Sequence, residues 1–513
     1  MIYDLDKVKE NPFEDKIYDV CIIGGGIAGI TLAMHLKAEL NILLLEGGGL
    51  EFSLESQDIY KGKNIGFPYL NLCDVRTRYL GGTSHYWGGR CAVYSSYSFA
   101  TKDFIKNSGW PIEKKDLDPF LTRAKSVLDL PTLHKQEFYE GWTNILDRQN
   151  DNFDSVLFFY SMPPTNFKVK YESELRKRTN IDCYVNANLT DMTMIEKLSS
   201  VDTVEIQNYK NGVFNISAKK YILATGGIEN ARLLLNFNKQ CKKGIGNDND
   251  LVGRFFSDHP HIDVGTFILE DHTKKAFEGK NKPLEMLYAE NYQVPTEKLQ
   301  KQEKILPVGI HIRPKSDLFT PITNSFKEQL RDIVCMGDWM HDVVSDSIGR
   351  EVRCGNYDGT FRHLSEQAPN ASSRVMLDTE TDRFGLRYSV LDWQFLDIDI
   401  LTQKKVAMIF AENFAQLDLG RVKLKNWILS TDTKYPTRET GDIAMGGGYH
   451  HMCTTRMGKS SKTGVVDGNQ QVFNVDNLYV AGSSVFATPG EHNPTLTIVQ
   501  MTLRLADHLN RNL

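Results

Sequence analysis

Two polar clusters late in this 513-residue chain carry side chains suited to proton chemistry. One is Tyr449-His450-His451, the other Glu491-His492-Asn493-Pro494. A neutral imidazole can take a proton near pH 7, while an amide or a second imidazole holds the reacting oxygen by a hydrogen bond. Adjacent residues on an extended strand point to opposite faces, so His450 and His451 do not read as a shared metal site, and no metal is expected. A different chemistry is suggested near the start, where Asp19-Val20-Cys21-Ile22-Ile23 runs into Gly24-x-Gly26-x-x-Gly29. Gly24 permits a tight turn, Gly26 lets backbone approach a pyrophosphate, and Gly29 lets a helix pack closely on a strand. A helix N-terminus behind such a turn offers free N–H groups and partial positive charge to phosphates.

The elements around these glycines fit that reading. Residues 18–23 read as a buried parallel strand, residues 30–36 as a helix, and Leu43-Leu44-Leu45 as a second strand ending in Glu46. An acid at that place can take both hydroxyls of a ribose, which argues against a 2′-phosphate and leaves NAD or FAD. The loop Arg78 to Arg90 is dense in glycine and carries aromatic and hydroxyl side chains, so it can lie against an extended ligand; this favours FAD. A chain with a cradle at one end and a base at the other must fold back on itself.

Bulk properties narrow the class. The length predicts two domains. A net charge of −5 with 41% hydrophobic residues suggests no nucleic-acid surface. The N-terminus lacks a basic stretch followed by an apolar one, so no secretory signal is expected, and no apolar run of membrane-spanning length occurs. The eight cysteines are dispersed without zinc spacing, which predicts reduced thiols in a cytoplasmic protein.

The wider pattern predicts an α/β (α+β overall) chain. A discontinuous Rossmann-like domain takes residues 1–95, 183–260 and 445–513; a second domain with a mixed or antiparallel sheet flanked by helices takes 96–182 and 261–444. Thr203–Gln207 and Val213–Ile216 flank Asn211-Gly212, a hairpin signal. Residues 305–313, 373–377 and 384–391 alternate as strands, and 398–417 reads as a long amphipathic helix. The polar stretch 269–302 reads as a mobile lid or surface excursion. His259, His261, His341 and His363 read as structural or surface residues.

These blocks, in this order, resemble the glucose–methanol–choline (GMC) oxidoreductases, FAD enzymes that oxidise alcohols. The resemblance is carried by the first glycine turn with Glu46-Gly47-Gly48-Gly49, by Gly81-Gly82-Thr83-Ser84, by Ala224 to Leu234, by Gly253 to Pro260, and by Tyr449 to Leu509. It implies His450 as the base and Asn493 as its partner, with His492 one residue out of register and His451 a bystander. It implies a flavin held by Gly24, Gly26, Ile27, Ala28, Gly29, Glu46, Gly47, Arg78, Gly81, Gly82, Ser84, Trp87, Gly88, Gly89, Ala224, Gly482, Ser483, Asn493 and Thr495. Where some members carry a flavin-bonding histidine, this chain has Tyr86, with His85 one residue early, so FAD is expected to be non-covalent. Cys453 replaces a usual glycine, and Ala481 stands near the position of a usual Asp, which leaves the backbone N–H groups of Gly482 and Ser483 to serve. Asn493-Pro494-Thr495 and His259-Pro260 resemble the pyranose and glycoside oxidase branch. The expected reaction oxidises a CH–OH group of a sugar, glycoside, cyclitol or related polyol, the proton going to the base and the hydride to the flavin. The acceptor is oxygen, a quinone or a partner protein. The alternatives are a non-sugar alcohol as substrate, or a lyase or non-redox flavoprotein on the same scaffold.

Overall fold

The computed structural model describes residues 1–131, 151–270, 272–273, 289–314, 358–437 and 445–513. The apolar run before the glycine turn forms the strand Ile17–Ile23, which pairs in parallel with Ile42–Leu45 on one side and Val213–Leu223 on the other. Ile181–Val185 and then Ile2–Asp4 extend one edge. The late strand Leu478–Val480 joins Val213–Leu223 in parallel, at Tyr221 to Leu223. The first part of Val213–Leu223 instead forms the expected hairpin with Val201–Gln207, which Asn188–Met194 extends.

A parallel sheet needs cover on both faces. Val20, Ile22, Leu44 and Cys183 pack under the helices Ile27–His35 and Thr495–Asn512. Cys21, Ile23, Leu43 and Leu223 pack against Ile228, Ala231 and Leu234 on the opposite face. The helix Ile27–His35 is buried all round, as a helix wedged between a sheet and another helix must be.

The second sheet is antiparallel throughout, in the order 420–424, 260–269, 359–365, 308–314, 289–295, 153–160 and 90–91, with 446–447 added on 260–269. One face lies on the helix Asp397–Gln416, where Phe410 and Phe414 meet Phe361, Phe267 and Phe153. A small third sheet joins Gly62–Asn64, Arg374–Thr381 and Arg387–Asp392.

The strands expected at 305–313, 373–377 and 384–391 form at 308–314, 374–381 and 387–392. Two details differ from the sequence-based partition. Arg90–Cys91 and Gly446–Gly447 lie in segments expected to hold the cofactor, yet they pair in the second sheet, because the chain crosses between the layers at these points. Part of the stretch expected as a lid, Ala289–Pro295, is an inner strand of the second sheet, followed by the helix Glu297–Glu303. Residues 271 and 274–288 of that stretch, and His341, lie outside the described residues.

Candidate active site

A cleft of about 850 Å³ runs between the layers, a volume in the range of cofactor and substrate pockets. Gly24, Gly26, Ile27, Ala28, Glu46 and Gly47 line one part of it; His450, Asn493, Gly482, Ser483 and Thr495 line another. Arg78, Gly82, Trp87, Gly88 and Ala224 lie along it as well. The early and late motifs therefore face one space. Gly29, Gly81, Ser84 and Gly89 do not line it but shape its walls. Ser84, for example, donates to Gly81 O at 2.7 Å and accepts from Phe167 N at 3.0 Å.

The glycines of the first turn divide by what surrounds them. A Cβ at Gly29 would lie 1.8 Å from Gly24 O, so this residue is fixed by helix-on-strand packing. Gly24 has φ +115, and a Cβ there would meet Ala224 O at 2.5 Å. Gly26 is different. Only Gly82 Cα, at 4.0 Å, would meet its Cβ, so the protein's own packing leaves that place open beside the first turn of Ile27–His35. Open space beside N–H groups fits a pyrophosphate. Glu46 accepts from Gly25 N and Gly48 N, each at 2.8 Å, one on each oxygen. Each oxygen keeps a further lone pair for a ribose hydroxyl. The guanidinium of Arg78 bonds Asn188 Oδ1 at 2.8 Å and Tyr209 OH at 2.9 Å, bracing Gly47 from below. On the same wall, Arg232 joins Glu229 at 2.7 Å and Asp382 at 2.6 Å, a buried ion network that nothing in the spacing announced. These residues fit the dinucleotide that the motif predicts.

At the other part, Asp258 organises the loop that carries His450. It is fully buried, and its oxygens accept from the backbone N of His259 (2.7 Å), Gly448 (3.1 Å), Tyr449 (3.0 Å) and His450 (2.9 Å), and from Tyr69 OH at 2.6 Å. Burial pushes its carboxyl up, and these donors pull it back. Tyr449 and Cys453 both have positive φ, 59° and 70°. This accounts for the glycine usual at the second position; a non-glycine residue there costs about 1–2 kcal/mol.

The loop brings His450 Nδ1 to 2.8 Å from His259 Nδ1, and His450 Nε2 to 3.2 Å from Asn493 Nδ2. His259 Nε2 faces two carbonyl oxygens, Gly490 O at 2.8 Å and Pro489 O at 3.3 Å, so it must donate. Burial holds the pKa of His259 down at about 4, so the ring is neutral and its Nδ1 is an acceptor. His450 Nδ1 must then carry a proton, which leaves Nε2 as the basic nitrogen. Burial and the neighbouring His259, His261, His451 and Arg90 keep the pKa of His450 well below its ordinary value. His450 is thus uncharged at neutral pH, with its lone pair on the Asn493 side. His259, a structural residue by its sequence, touches His450 across a long sequence separation that no motif spacing reports.

The remaining histidines separate cleanly. His492 Nε2 pairs with Glu491 Oε1 at 3.2 Å, and its ring packs on Phe158, so it does not reach His450. His451 lies under Tyr69 and Phe256. His85 stacks on Tyr79 at 3.9 Å, and its ring nitrogens meet Leu80 O at 2.8 Å and Asn166 Nδ2 at 2.9 Å, while Tyr86 lines the cleft. His363 is buried against Gln403 at 2.7 Å. Among the described residues no group of acids, histidines and cysteines could hold a metal ion.

Residues 369–502 match the family model described as GMC oxidoreductase, and the comparisons support an FAD-dependent alcohol oxidoreductase. Over 96% of its length it is 22% identical to 6'''-hydroxyparomomycin C oxidase of Streptomyces lividus, covering 92% of that protein. A segment is 30% identical to the protein HOTHEAD of Arabidopsis thaliana, but this match covers only 20% of that protein. The fold superposes on that of a fungal aryl-alcohol oxidase with a TM-score of 0.59 at 14% identity, over 97% of this chain and 99% of the other.

Proposed function

We propose that this chain oxidises a CH–OH group of a sugar, glycoside, cyclitol or related polyol, with His450 as base and Asn493 as the residue that holds the substrate oxygen. The observation that carries the reading is the fixed tautomer of His450, whose basic Nε2 lies beside the Asn493 amide in the same cleft as Gly26. The oxidase of S. lividus, similar along nearly the whole chain, supports a glycoside-like substrate. FAD, when bound, supplies the acceptor for two electrons and the C–H hydrogen.

The protein's own residues do the rest. Gly26 and the helix behind it take the pyrophosphate, Glu46 the ribose, and Gly482, Ser483 and Thr495 the far end. Asn493 donates from its amide to the substrate oxygen and so limits the rotation of the alcohol. His450 takes the hydroxyl proton on Nε2, and the Nδ1–H bond to His259 keeps the ring in place while charge forms. We read the flavin as non-covalent, because both ring nitrogens of His85 are engaged away from the cleft. Six described cysteines are free thiols, which suits the cytoplasm, the compartment we propose. Oxygen, a quinone or a partner protein can serve as final acceptor.

The test is anaerobic bleaching of the flavin by a panel of polyols and glycosides. Replacing His450 with alanine should slow bleaching by about a hundredfold to ten-thousandfold. The flavin should remain bound and be released by acid precipitation. An unchanged rate would remove His450 as the base, and colour retained on the precipitate would remove the non-covalent reading.

A further inference from the structure

The hydrogen bonds that fix His450 can be followed atom by atom to their end. His259 Nε2 donates to the carbonyl oxygens of Gly490 and Pro489, and His259 Nδ1 accepts from His450 Nδ1. His450 Nε2 therefore holds a lone pair, and only a donor can face it at 3.2 Å. That requirement orients the next side chain: the Asn493 amide turns Nδ2 towards His450, and so Oδ1 away from it. The backbone on either side of Asn493 is held as well. Tyr94 OH donates to His492 O at 3.2 Å, and Pro494 caps the helix Thr495–Asn512.

Both nitrogens of each imidazole thus have a partner, but the amide at the end of the series does not close. Among the described residues Asn493 Oδ1 is buried without a hydrogen-bond partner, and Asn493 lines the cleft with His450. A buried acceptor without a donor is costly, so one beside a base implies a donor supplied by a ligand. An amide nitrogen has two N–H groups, and one is spent on His450, which leaves the other beside the open oxygen. The side chain therefore asks for two things at once, an oxygen that accepts and a hydroxyl that donates. A lone alcohol meets only the first, because its single hydroxyl proton is bound for His450 Nε2. A hydroxyl on the adjacent carbon meets the second, since two vicinal oxygens have a separation similar to that of the nitrogen and oxygen of one amide.

We propose that the substrate is a vicinal diol: Asn493 donates to the hydroxyl that loses its proton to His450, and accepts from the hydroxyl on the neighbouring carbon. The second hydroxyl is unchanged by the reaction, so the product is an α-hydroxy aldehyde or ketone. The substrate class narrows from alcohols at large to CH–OH groups with a hydroxylated neighbour. The inference rests on the reading of His450 as base, and the experiment separates the two.

With the holoenzyme, anaerobic flavin reduction at low substrate concentration is compared within matched sets: propane-1,2-diol against 1-propanol, 2-propanol and propane-1,3-diol, and the cyclohexane-1,2-diols against cyclohexanol and cyclohexane-1,3-diol. In at least one set the vicinal diol should react about tenfold to a hundredfold faster than the monohydric alcohol. The 1,3 isomer has as many hydroxyls but the wrong spacing, and should stay with the monohydric alcohol. In Asn493→Ala every rate falls, but the ratio of diol to monohydric alcohol should move towards one. Flavin absorbance and circular dichroism identify folded variants, and Asn493→Leu, closer in volume, serves if the alanine variant fails to fold. Equal rates with and without the neighbouring hydroxyl in every set, or an advantage that survives removal of the amide, would overturn the proposal. If no alcohol bleaches the flavin, the assignment of His450 fails instead, and binding decides the role of the amide. Pinacol and 2,3-dimethyl-2-butanol have no hydrogen on the carbinol carbon, so they bind without reacting, and the shift in flavin absorbance gives their dissociation constants. The same pair supplies the ratio where a variant is too slow for rates. Tighter binding of pinacol, lost in Asn493→Ala, supports the diol site; equal affinities, or no binding of either, overturn it.

Discussion

At the scale of residues, the decisive contact is a hydrogen bond between two histidines. His259 acts through its neighbour: its Nε2 is engaged by backbone carbonyls, and its Nδ1 fixes which nitrogen of His450 carries the proton. Replacing His259 with alanine releases that constraint and removes a neighbour that depresses the pKa of His450. The turnover number should fall about tenfold to a hundredfold, a typical cost of losing an orienting partner, with little change in KM. The acid limb of the rate profile should move to higher pH, because a less depressed base is protonated sooner. Asparagine at 259 presents an amide oxygen and should restore part of the loss. A profile that keeps its shape while the rate drops would reduce His259 to packing. His450 and Asn493 were legible because they lie in a recognisable C-terminal run. His259 and Asp258 lie in another recognisable block, but their contact with His450 spans about 190 residues, and no local pattern carries it.

At the scale of elements, the first glycine turn makes a sharp comparison. Gly29→Ala places a methyl group 1.8 Å from Gly24 O, which must push the helix off its strand. Overpacking of this kind costs typically about 1–3 kcal/mol or more, so the melting temperature of the apoprotein should fall. Gly26→Ala meets nothing nearer than 4.0 Å, so the apoprotein should melt normally while FAD titration shows affinity weakened by about tenfold or more, the scale of a lost charged hydrogen bond. Unaltered FAD affinity would remove Gly26 from the cradle. The strand–helix–strand unit was legible because glycine spacing and apolar runs agree there. The second sheet was only partly so. Alternation located the strands at 308–314 and 387–392 but says nothing of sheet order, which joins segments far apart in sequence. Ala289–Pro295 escaped notice because Glu290, Asn291 and Gln293 make it polar, as an inner strand rarely is.

At the scale of the whole molecule, histidine burial sets the response to acid. His259 and His363 titrate at about 4 and His311 and His451 at about 3, with His261 and His450 also well below 6.5, mainly through burial. Each binds a proton less readily folded than unfolded. Unfolding therefore takes up protons below pH 6.5, and the stability these residues contribute falls as pH drops towards 4 and below. Asp258, Glu366 and Asp399, the last raised to about 7, act in the opposite sense, but they are fewer. The melting temperature should drop by several degrees between pH 7 and pH 5, and His363→Gln should flatten that slope. A melting temperature that holds or rises over this range would show that the histidines are not neutral in the fold.

The strand Leu478–Val480 closes against a sheet whose other strands all lie before residue 224. On a ribosome, the first glycine turn therefore emerges hundreds of residues ahead of Gly482, Asn493 and Thr495, which line another part of the same cleft. Closure of the cleft is thus a late event in biogenesis: a nascent chain can build the first glycine turn, but the cleft lacks part of its wall until the strand Leu478–Val480 and the residues after it have been made.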